Sequence, residues 1–306
     1  MFEKQAALFI YALSPVHVGA GQSLGVIDNP IQREKHTNHP CIAGSGIKGA
    51  IRHSYVTLGG DSSHIDPIFG PSGQSSNLHA GAVSFGDAQL ITMPVKSLKG
   101  GFVHVTCGYA LGRARRLLAE LASIDMPQIT PPESGQCVVT NDTLLVTRQN
   151  QQEKTLVLDA FEYSVTPAET DKLREAAKLL ANLGIPNQNG FEYFHSKMAN
   201  DLVMLSDTDF AYFAQNGMLV EPHVRINEQT GTAAEGGLFY TENLPPESLL
   251  ISPLHVGATR TGKQESEQPA DVVMAKLQAV LNSRALQIGG DATTGRGLVL
   301  AQLTGS

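Results

Sequence analysis

The sequence predicts an α+β fold assembled from two similar β-α-β halves. The heptapeptide SPVHVGA at 14–20 has a near copy, SPLHVGA, at 252–258. Each copy follows an apolar strand candidate and leads through a polar loop into an amphipathic helix, after which another strand candidate comes. Two halves of this kind are what a ferredoxin-like split βαβ core requires. The alternative is a coincidental match over a short peptide.

The first half starts with a buried strand over 8–13, a run that is apolar, β-branched and aromatic. Pro15 has no amide proton for a ladder, so we expect it to end this strand. The glycines within 19–25 allow backbone conformations that other residues resist, which predicts a loop able to lie close to a ligand. The sequence Asp28-Asn29-Pro30 then predicts a turn.

An amphipathic helix follows, with Ser45 as its predicted N-cap. Lys48 and Arg52 are four residues apart, so they lie on one flank near the helix start. Together with the free amide groups around Ser45 and Gly46, these two cations predict a phosphate-binding site. The segment is not a Walker A loop, because no Ser or Thr follows its lysine, and its glycine spacing is not that of a Rossmann fingerprint. An ordinary basic helix flank is the alternative.

The strand that completes the first half is predicted at about 81–90. In the second half, the helix is predicted at about 271–284, because its apolar residues recur on or near one face. A last strand, interrupted by glycines, is predicted over 286–303.

The glycine-rich loop at 289–297 is too rich in glycine for a plain strand connection. Close approach of the backbone to a phosphate is the functional interpretation, with Gly290 and Thr294 in the loop and Arg296 on the phosphate. A wide bulge is the structural alternative.

Between the halves, residues 92–247 are predicted to form an insertion, so the chain divides into 1–91, 92–247 and 248–306. The insertion is expected to hold two helices and two hairpins. The helices are predicted over 108–121, which carries three arginines, and over 167–183, with Thr166 as its cap. The strands of the first hairpin are predicted over 144–146 and 155–158. Those of the second are predicted over 220–226 and 237–240, around a long polar tip.

Composition limits the class of protein. The chain has 306 residues, no apolar run long enough to span a membrane and no basic, cleavable leader at its N-terminus. Its three cysteines are widely spaced, which fits a reducing cytoplasm better than a disulfide framework. The net charge of −7 is evidence against a nucleic-acid binder, although a local basic track is compatible with it.

Asp28 is the strongest candidate for chemistry. An aspartate on a glycine-flanked loop can bind a divalent cation at a phosphate, or orient a ribose hydroxyl for in-line attack. Considered alone, an Asp before Asn-Pro is more often a turn residue that bonds its own backbone. His17, near the same loop, can act as a general acid or base or can be hydrogen-bonded within the fold, and its copy His255 favours a role in the fold.

The sequence HTNHPC at 36–41 brings His36, His39 and Cys41 together and invites a zinc interpretation. It lacks a fourth ligand and the usual ligand spacing, so we discount a zinc site. No nucleophile-elbow motif supports Ser-His-Asp catalysis.

Four segments, taken in order, resemble one family over nearly the whole chain. They are SPVHVGAGQSLGVIDNPIQRE from 14, GSGIKGAIR from 44, RINEQTGTAAEGGLFYTENLP from 225 and QIGGDATTGRGLV from 287. The chain is similar to the repeated backbone subunit of type III-B CRISPR effector (Cmr) complexes, a branch of the RAMP superfamily. The resemblance implies a ferredoxin-like core related to the RNA-recognition fold, with a thumb-like β-hairpin at about 220–242.

The family resemblance also implies a function. Copies of such a subunit polymerise along a guide RNA (crRNA) beside other Cmr subunits, and the complementary target RNA is cut at regular intervals with a divalent metal, Mg²⁺ or Mn²⁺, present. The family's cleavage and metal-binding aspartate falls on Asp28. Glu235, at the tip of the thumb-like hairpin, could approach Asp28 of a neighbouring copy, although by itself it is a solvated loop acid.

Guide binding is expected through the phosphate backbone, which suits a subunit that accepts any guide sequence. Few aromatic residues and no Trp argue against base stacking as the main mode. The predicted RNA-binding residues are Ser45, Gly46, Lys48, Arg52, Arg225, Arg260, Gly290, Thr294 and Arg296.

Two other functions remain open at this point. One is a purely structural crRNA-binding subunit in which Asp28 only makes a turn. The other is a guide-processing ribonuclease of the same superfamily, which a monomer without a thumb-like hairpin would favour.

Overall fold

The computed structural model describes residues 2–21, 25–73, 78–147, 154–262 and 267–305. Within these ranges the strands are β1 (Lys4–Ala12), β2 (Cys41–Ile42), β3 (Val83–Phe85), β4 (Ala88–Ser97), β5 (Gly101–Cys107), β6 (Gln136–Val139), β7 (Val146–Thr147), β8 (Lys154–Leu158), β9 (Phe161–Val165), β10 (Leu202–Leu205), β11 (Leu219–Ile226), β12 (Ala233–Asn243), β13 (Leu249–Val256), β14 (Arg284–Gln287) and β15 (Leu298–Thr304). The α-helices are α1 (Gly44–Ser54), α2 (Ile65–Phe69), α3 (Gly108–Ala122), α4 (Thr170–Gly184), α5 (Glu192–Asn200), α6 (Asp207–Asn216) and α7 (Ala270–Leu281).

Most strands join one sheet, in the order β14-β15-β1-β13-β4-β5-β10-β6-β9-β8-β7. β1 lies between β13 and β15 and is antiparallel to both. Its residues are apolar on both sides: Leu8 and Ile10 pack in the core with α1 and α7, whereas Phe9 and Tyr11 pack with α3 and α4. Because successive side chains alternate between faces, a strand covered on both faces reads as a continuous apolar run.

β4 belongs to two parts of the sheet. Its first residues pair with β13 and β2, and the stretch from Met93 onward pairs with β5. From β5 the sheet continues through β10, β6, β9 and β8, and the pairing of Ser97 with Leu158 returns it to β4. This part of the sheet therefore curls into a β-barrel.

β11 and β12 form a separate two-stranded hairpin. It corresponds to the predicted thumb-like hairpin, with a register shift between Val224 and Ile226. Several large apolar side chains on it are exposed: Leu219, Val220, Val224, Ile226 and Leu238.

The mixture of helices and strands, the two hairpins and the strand that begins the chain are confirmed. The strand over 8–13 is β1, and β7 pairs with β8 as predicted, although 148–153 of its tip lie outside the described residues. The predicted helix over 108–121 is α3. Among the residues that the structure describes, no helix is both long and apolar enough to cross a bilayer.

Two helix caps differ from the prediction. α1 begins at Gly44 with Ala43 in the cap position, not Ser45, because the Gly44 amide donates to Asp87 over 2.8 Å. A Cβ at Gly44 would lie 2.1 Å from the carbonyl oxygen of Phe85, so this tight entry requires glycine. α4 begins at Thr170 rather than after Thr166, whose amide is held by β6 through the Cys137 carbonyl at 2.9 Å.

The two heptapeptide copies are not equivalent in the fold. Residues 14–20 follow β1, whereas 252–256 of the second copy lie inside β13, so the prediction that each copy follows a strand is wrong for the second. His255 contacts the Phe2 ring at 5.8 Å between centroids, an environment unlike that of His17. The predicted boundary at 91–92 falls inside β4.

Glu247, at the turn into β13, gives a prediction for pH dependence. It has a positive φ of 67°, and its carboxylate accepts a hydrogen bond from the buried Tyr11 hydroxyl. Burial raises the pKa of Glu247 from 4.5 to about 7. The folded chain therefore binds more protons than the unfolded chain between pH 4.5 and 7, so this group's contribution to the free energy of unfolding falls as pH rises through that window.

We expect Glu247→Gln, which keeps an acceptor for Tyr11, to stabilise the protein more at pH 8 than at pH 5. Urea unfolding of wild type and variant at both pH values measures the difference. An equal effect at the two pH values would contradict the prediction.

Candidate functional site

The loop that carries Asp28 is attached to the base of the thumb-like hairpin. Asp28 is exposed, and its Oδ2 accepts a hydrogen bond from the Tyr240 amide at 2.8 Å. The Asn29 amide donates to the Tyr240 carbonyl at 3.0 Å, and the Glu242 amide donates to the Asn29 carbonyl at 2.9 Å. The loop thus adds a short parallel edge to β12. The Asp28 carboxylate is anchored to a distant strand, which differs from a turn residue that bonds its own backbone.

Glu242 holds the segment that leaves this loop. Its side chain is 5% exposed; Oε2 accepts from the Ile31 amide at 3.0 Å, and Oε1 pairs with Arg33 Nη2 at 2.6 Å. Arg33 Nη1 also donates to the Ala214 carbonyl at 2.9 Å, which connects the loop to α6. Sequence reasoning missed both Arg33 and Glu242, because an acid and a base about 200 positions apart give no local signal.

His17 lies where three segments meet. Its Nδ1 is 2.8 Å from the Glu242 carbonyl oxygen, and its own carbonyl accepts from the Gly290 amide at 2.8 Å. A carbonyl can only accept, so Nδ1 carries the proton and Nε2 is left as the acceptor when the ring is neutral. The Nε2 atom faces Gly19, at 3.2 Å from the Cβ that a larger residue would have there. His17 therefore joins the Asp28 loop, the thumb-like hairpin and the glycine-rich loop.

The glycine-rich loop packs directly on His17. Gly289 has a φ of 87°, and a Cβ on it would lie 2.2 Å from the His17 carbonyl oxygen. Gly290 and Thr294 are exposed, and the Thr294 hydroxyl donates to the Asp291 carbonyl at 2.8 Å. The Arg296 guanidinium pairs with Glu221 on β11.

We expect Gly289→Ala to lower the free energy of unfolding by about 3 kcal/mol, because it combines a left-handed backbone with a steric clash. Gly295→Ala is the control: its φ of 82° is similar, but a Cβ there meets nothing within 4 Å. Left-handed strain alone costs about 1 kcal/mol. Chemical denaturation measures both, and equal losses would show that the approach to His17 is unimportant.

The two cations of the predicted phosphate-binding site on α1 are bonded to other groups of the protein. Lys48 Nζ donates to the Val83 carbonyl at 3.0 Å, and burial, with a smaller contribution from Arg52, lowers the pKa of Lys48. Arg52 pairs with Asp66 at 2.8 Å and donates to the Gly70 carbonyl. Ser45 is exposed, as is Gly46, where a Cβ would meet nothing within 4 Å.

The remaining predicted residues lie on the thumb-like hairpin and in the segment after β13. Glu235 is in β12 and not in the loop at the hairpin tip, five residues before Tyr240. Arg225, on β11, lies over the Phe239 ring at 5.8 Å. Arg260 is half-buried in the segment after β13.

The HTNHPC segment lines a cleft beside α3. His36 Nε2 is 2.8 Å from the Tyr109 hydroxyl, and His39 packs edge-on against Phe210, where burial lowers its pKa. Burial raises the pKa of Cys41 to about 11. Over the described ranges, no group of three or more His, Cys, Asp or Glu side chains could hold a metal ion.

Comparison with known proteins relates the chain to one superfamily. The RAMP superfamily model matches residues 9–299. The chain is 33% identical over 296 residues to the CRISPR system Cmr endoribonuclease Cmr4 of Pyrococcus furiosus, covering 96% of this chain and 94% of that protein. It is 24% identical over 305 residues to the CMR subunit Cmr4 of Saccharolobus solfataricus, covering 95% and 94% respectively.

Solved structures agree with these relatives. Oligomeric Cmr4 from Pyrococcus furiosus matches with a TM-score of 0.71 and 25% identity over 99% of this chain and 98% of that one. A subunit of the type III-B Cmr-beta complex bound to cognate target RNA has the same fold, with a TM-score of 0.72 at 18% identity over 99% of this chain and 98% of that one. The chain therefore belongs to the RAMP superfamily and, within it, to the family of Cmr4 proteins.

Proposed function

We propose that this chain is the crRNA-binding backbone subunit of a type III-B CRISPR effector complex and that it cleaves complementary target RNA at regular intervals. The observation that carries the proposal is the exposed Asp28, anchored by its Oδ2 to the Tyr240 amide of the thumb-like hairpin. Within the described part of the chain the other carboxylate oxygen has no hydrogen-bond partner, so it is available to a substrate. The relationship to a protein named as an endoribonuclease supports it.

The reaction proposed is attack of a ribose 2′-hydroxyl on the adjacent phosphate. The O2′–P bond forms, the P–O5′ bond breaks, and the products are a 2′,3′-cyclic phosphate and a 5′-hydroxyl. Asp28 orients the 2′-hydroxyl in line with the leaving oxygen, and His17 Nε2 exchanges a proton with the reacting oxygens. The Nδ1 contact of His17 with the Glu242 carbonyl supports that tautomer.

We propose that Asp28 holds a divalent cation, Mg²⁺ or Mn²⁺, together with substrate phosphate and water, since no cluster of three or more His, Cys, Asp or Glu side chains in the described residues could hold a metal ion. A carboxylate oxygen is a hard ligand, and Mg²⁺ commonly binds through one carboxylate plus substrate phosphates and water. Such an ion would supply neutralisation of the phosphate charge. Cleavage is expected to stop on treatment with EDTA and to return when magnesium or manganese is restored.

RNA and protein partners follow from the same proposal. Guide-backbone contacts are assigned to α1 (Ser45, Gly46, Lys48 and Arg52), to the glycine-rich loop (Gly290, Thr294 and Arg296) and, with lower weight, to Arg225 and Arg260. Copies stack along the guide in the cytoplasm beside other Cmr subunits, with Glu235 directed towards Asp28 of the next copy. The relatives described as oligomeric Cmr4 and as a Cmr complex support the stacking.

We further infer that the two β-α-β halves form a ferredoxin-like core, in which 1–91 and 248–306 flank the insertion 92–247. Supporting this, β13 lies between β1 and β4, which α1 connects, and β1 lies between β13 and β15, which α7 connects. An intervening strand in each unit is the mark of a split βαβ arrangement.

The experiment that tests the reaction uses a target RNA with one 2′-deoxynucleotide at one of the cleavage positions. The assembled complex is expected to cut every position except that one, and the other products should end in a 2′,3′-cyclic phosphate. Cleavage at the deoxy position, or products ending in a 3′-hydroxyl, would exclude attack by the 2′-hydroxyl.

A non-catalytic, structural crRNA-binding subunit is the second candidate. It is favoured by the lack, among the described residues, of a cluster of His, Cys, Asp or Glu side chains able to hold a metal ion, and by the pairing of Lys48, Arg52 and Arg296 with groups of the protein itself. In that case target cleavage by the complex would not depend on Asp28.

A further inference from the structure

A cleft separate from the Asp28 loop lies between the 34–39 segment and helices α3 and α6. It consists of two adjoining cavities of about 570 and 510 Å³ that share His36 and Tyr109 as lining residues. One cavity, called aromatic below, is lined by four ring side chains, and the other, called basic, by four Arg or Lys side chains. The arrangement matches the two parts of a nucleotide, a flat base and an anionic phosphate.

The basic cavity concentrates positive charge in an acidic protein. Arg33, Lys35, Arg113 and Arg116 line it, against two acids, in a chain whose net charge is −7. Both acids are already bonded within the protein. Glu34 forms an ion pair with Arg113 and accepts a hydrogen bond from the Thr37 hydroxyl. Asp87 accepts a hydrogen bond from the Gly44 amide at the start of α1.

Two of the bases are available to a ligand. Lys35 and Arg116 are exposed, and neither forms an ion pair with the residues that the structure describes. Arg33, by contrast, is committed to Glu242. The cavity therefore keeps two accessible positive charges that the fold does not neutralise.

Arg113 adds buried hydrogen-bond donors to the basic cavity. It is 6% exposed, its guanidinium carbon lies 4.5 Å from the Tyr109 ring centroid, and its Nη1 is bonded to Glu34. Its Nε and Nη2 are buried and have no acceptor in the described part of the chain. These two nitrogens form one edge of the guanidinium, which matches two oxygens of a phosphate.

The aromatic cavity also contains a buried polar atom that lacks a hydrogen-bond partner among the described residues. His39 is 3% exposed, lines the cavity and has a buried Nδ1 without a partner among the described residues. A buried polar atom left without a partner destabilises the fold. Unpartnered groups at both ends of one cleft are the pattern expected where a polar ligand completes the hydrogen bonding.

Tyr212 forms the outer wall of the aromatic cavity. It is 47% exposed and is braced by Phe161, with ring centroids 4.9 Å apart. Tyr109 and His36 add two further rings at the junction of the cavities. Stacking on aromatic rings is how proteins hold unpaired bases.

We propose that this cleft binds one nucleotide of a single-stranded RNA segment, with its phosphate at Arg113 and Arg116 and its base against Tyr109 and Tyr212. The inference rests on the proposed RNA-binding function but not on catalysis by Asp28. Arg33 connects the two regions: it follows Asp28 by five residues, about 16 Å of extended chain, so one RNA strand can reach both.

The test measures binding of a fluorescently labelled single-stranded RNA to the purified full chain over a range of salt concentrations. The cleft variants are Lys35→Glu with Arg116→Glu, and separately Tyr212→Ala, all at exposed positions. The control, Lys178→Glu with Arg284→Glu, makes the same charge change at exposed positions outside the cleft. Thermal melting verifies that each variant is folded.

We expect at least a tenfold weaker binding for the double cleft variant than for its control. The slope of log Kd against log salt should fall by about 1.4, because each single-strand phosphate contact contributes about 0.7. Tyr212→Ala should weaken binding with little change in slope, and RNA carrying 4-thiouridine should crosslink to Tyr109 or Tyr212. Equal binding by cleft and control variants, or crosslinks only elsewhere, would overturn the proposal.

Asp28→Asn separates this inference from the proposed function. If that variant abolishes cleavage while the cleft variants bind RNA like the control, the function stands and the cleft proposal fails. If Asp28→Asn cleaves normally while the cleft variants lose binding, the catalytic assignment fails and the cleft proposal stands.

Discussion

Asp28→Asn in the assembled complex is expected to abolish target cleavage, with a rate at least about 100-fold below wild type. The substitution removes the negative charge but keeps a side-chain oxygen that can accept the Tyr240 amide hydrogen bond. Loop position, guide binding and target binding should therefore remain. The measurement compares the rates at which regularly spaced products appear, with crRNA and target affinities determined in parallel.

The matched control is Asp125→Asn, because the Asp125 side chain is 91% exposed and lies far from the loop in sequence. It should cleave like wild type. Unchanged cleavage by Asp28→Asn would make this chain a structural subunit with the nuclease elsewhere. Loss of RNA binding by Asp28→Asn would mean that the carboxylate maintains the loop and is not catalytic.

Glu242→Ala is expected to be the most destabilising of the substitutions considered, at about 3–5 kcal/mol. The side chains of Glu242 and Arg33 are 5% and 15% exposed, and removing the acid leaves Arg33 as a buried charge without its counter-ion. It also leaves the Ile31 amide without its acceptor. Because these bonds hold the segment that follows Asp28, the remaining folded protein should also cleave more slowly.

Two comparisons make this prediction specific. Asp171→Ala breaks an exposed pair with Arg174, whose side chains are 95% and 45% exposed, and should cost less than about 1 kcal/mol. The double variant Arg33→Met with Glu242→Gln should recover part of the loss, because no uncompensated charge remains buried. Chemical denaturation measures all four proteins, and similar losses for Glu242→Ala and Asp171→Ala would contradict the argument.

Local sequence patterns were sufficient to predict the helices and strands of this fold, but not the closing of its sheet into a barrel. β1 is apolar on both faces, α3 has a regular apolar stripe, and the polar stretch around 227–232 separates two strand-forming runs, so each was predictable. The return of the sheet from Leu158 to Ser97 depends on curvature accumulated over several strands, and no short segment encodes it.

The candidate site shows the same division. Asp28 was recognisable through its glycine-flanked loop and the family resemblance, whereas its partner Tyr240 is 212 positions away. The sequence predicts Lys48 and Arg52 as cations available to a phosphate, because helix spacing does not reveal the carbonyls of Val83 and Gly70 that they reach. The ion pair of Glu242 with Arg33 could not be predicted from sequence, because only burial in the fold distinguishes these two residues from other charged residues.

The position of β1 has a consequence for synthesis of the protein. Both strands that cover its edges come from the far end of the chain, since Tyr11 pairs with Leu249 and with Leu300. At about 5–20 residues per second, a ribosome makes the intervening stretch of roughly 240 residues in about 12–50 s. During that interval β1 is an apolar strand with two unpaired edges in the nascent chain, which makes it prone to aggregation. We therefore expect the yield of folded subunit to depend on chaperones that bind the chain during translation.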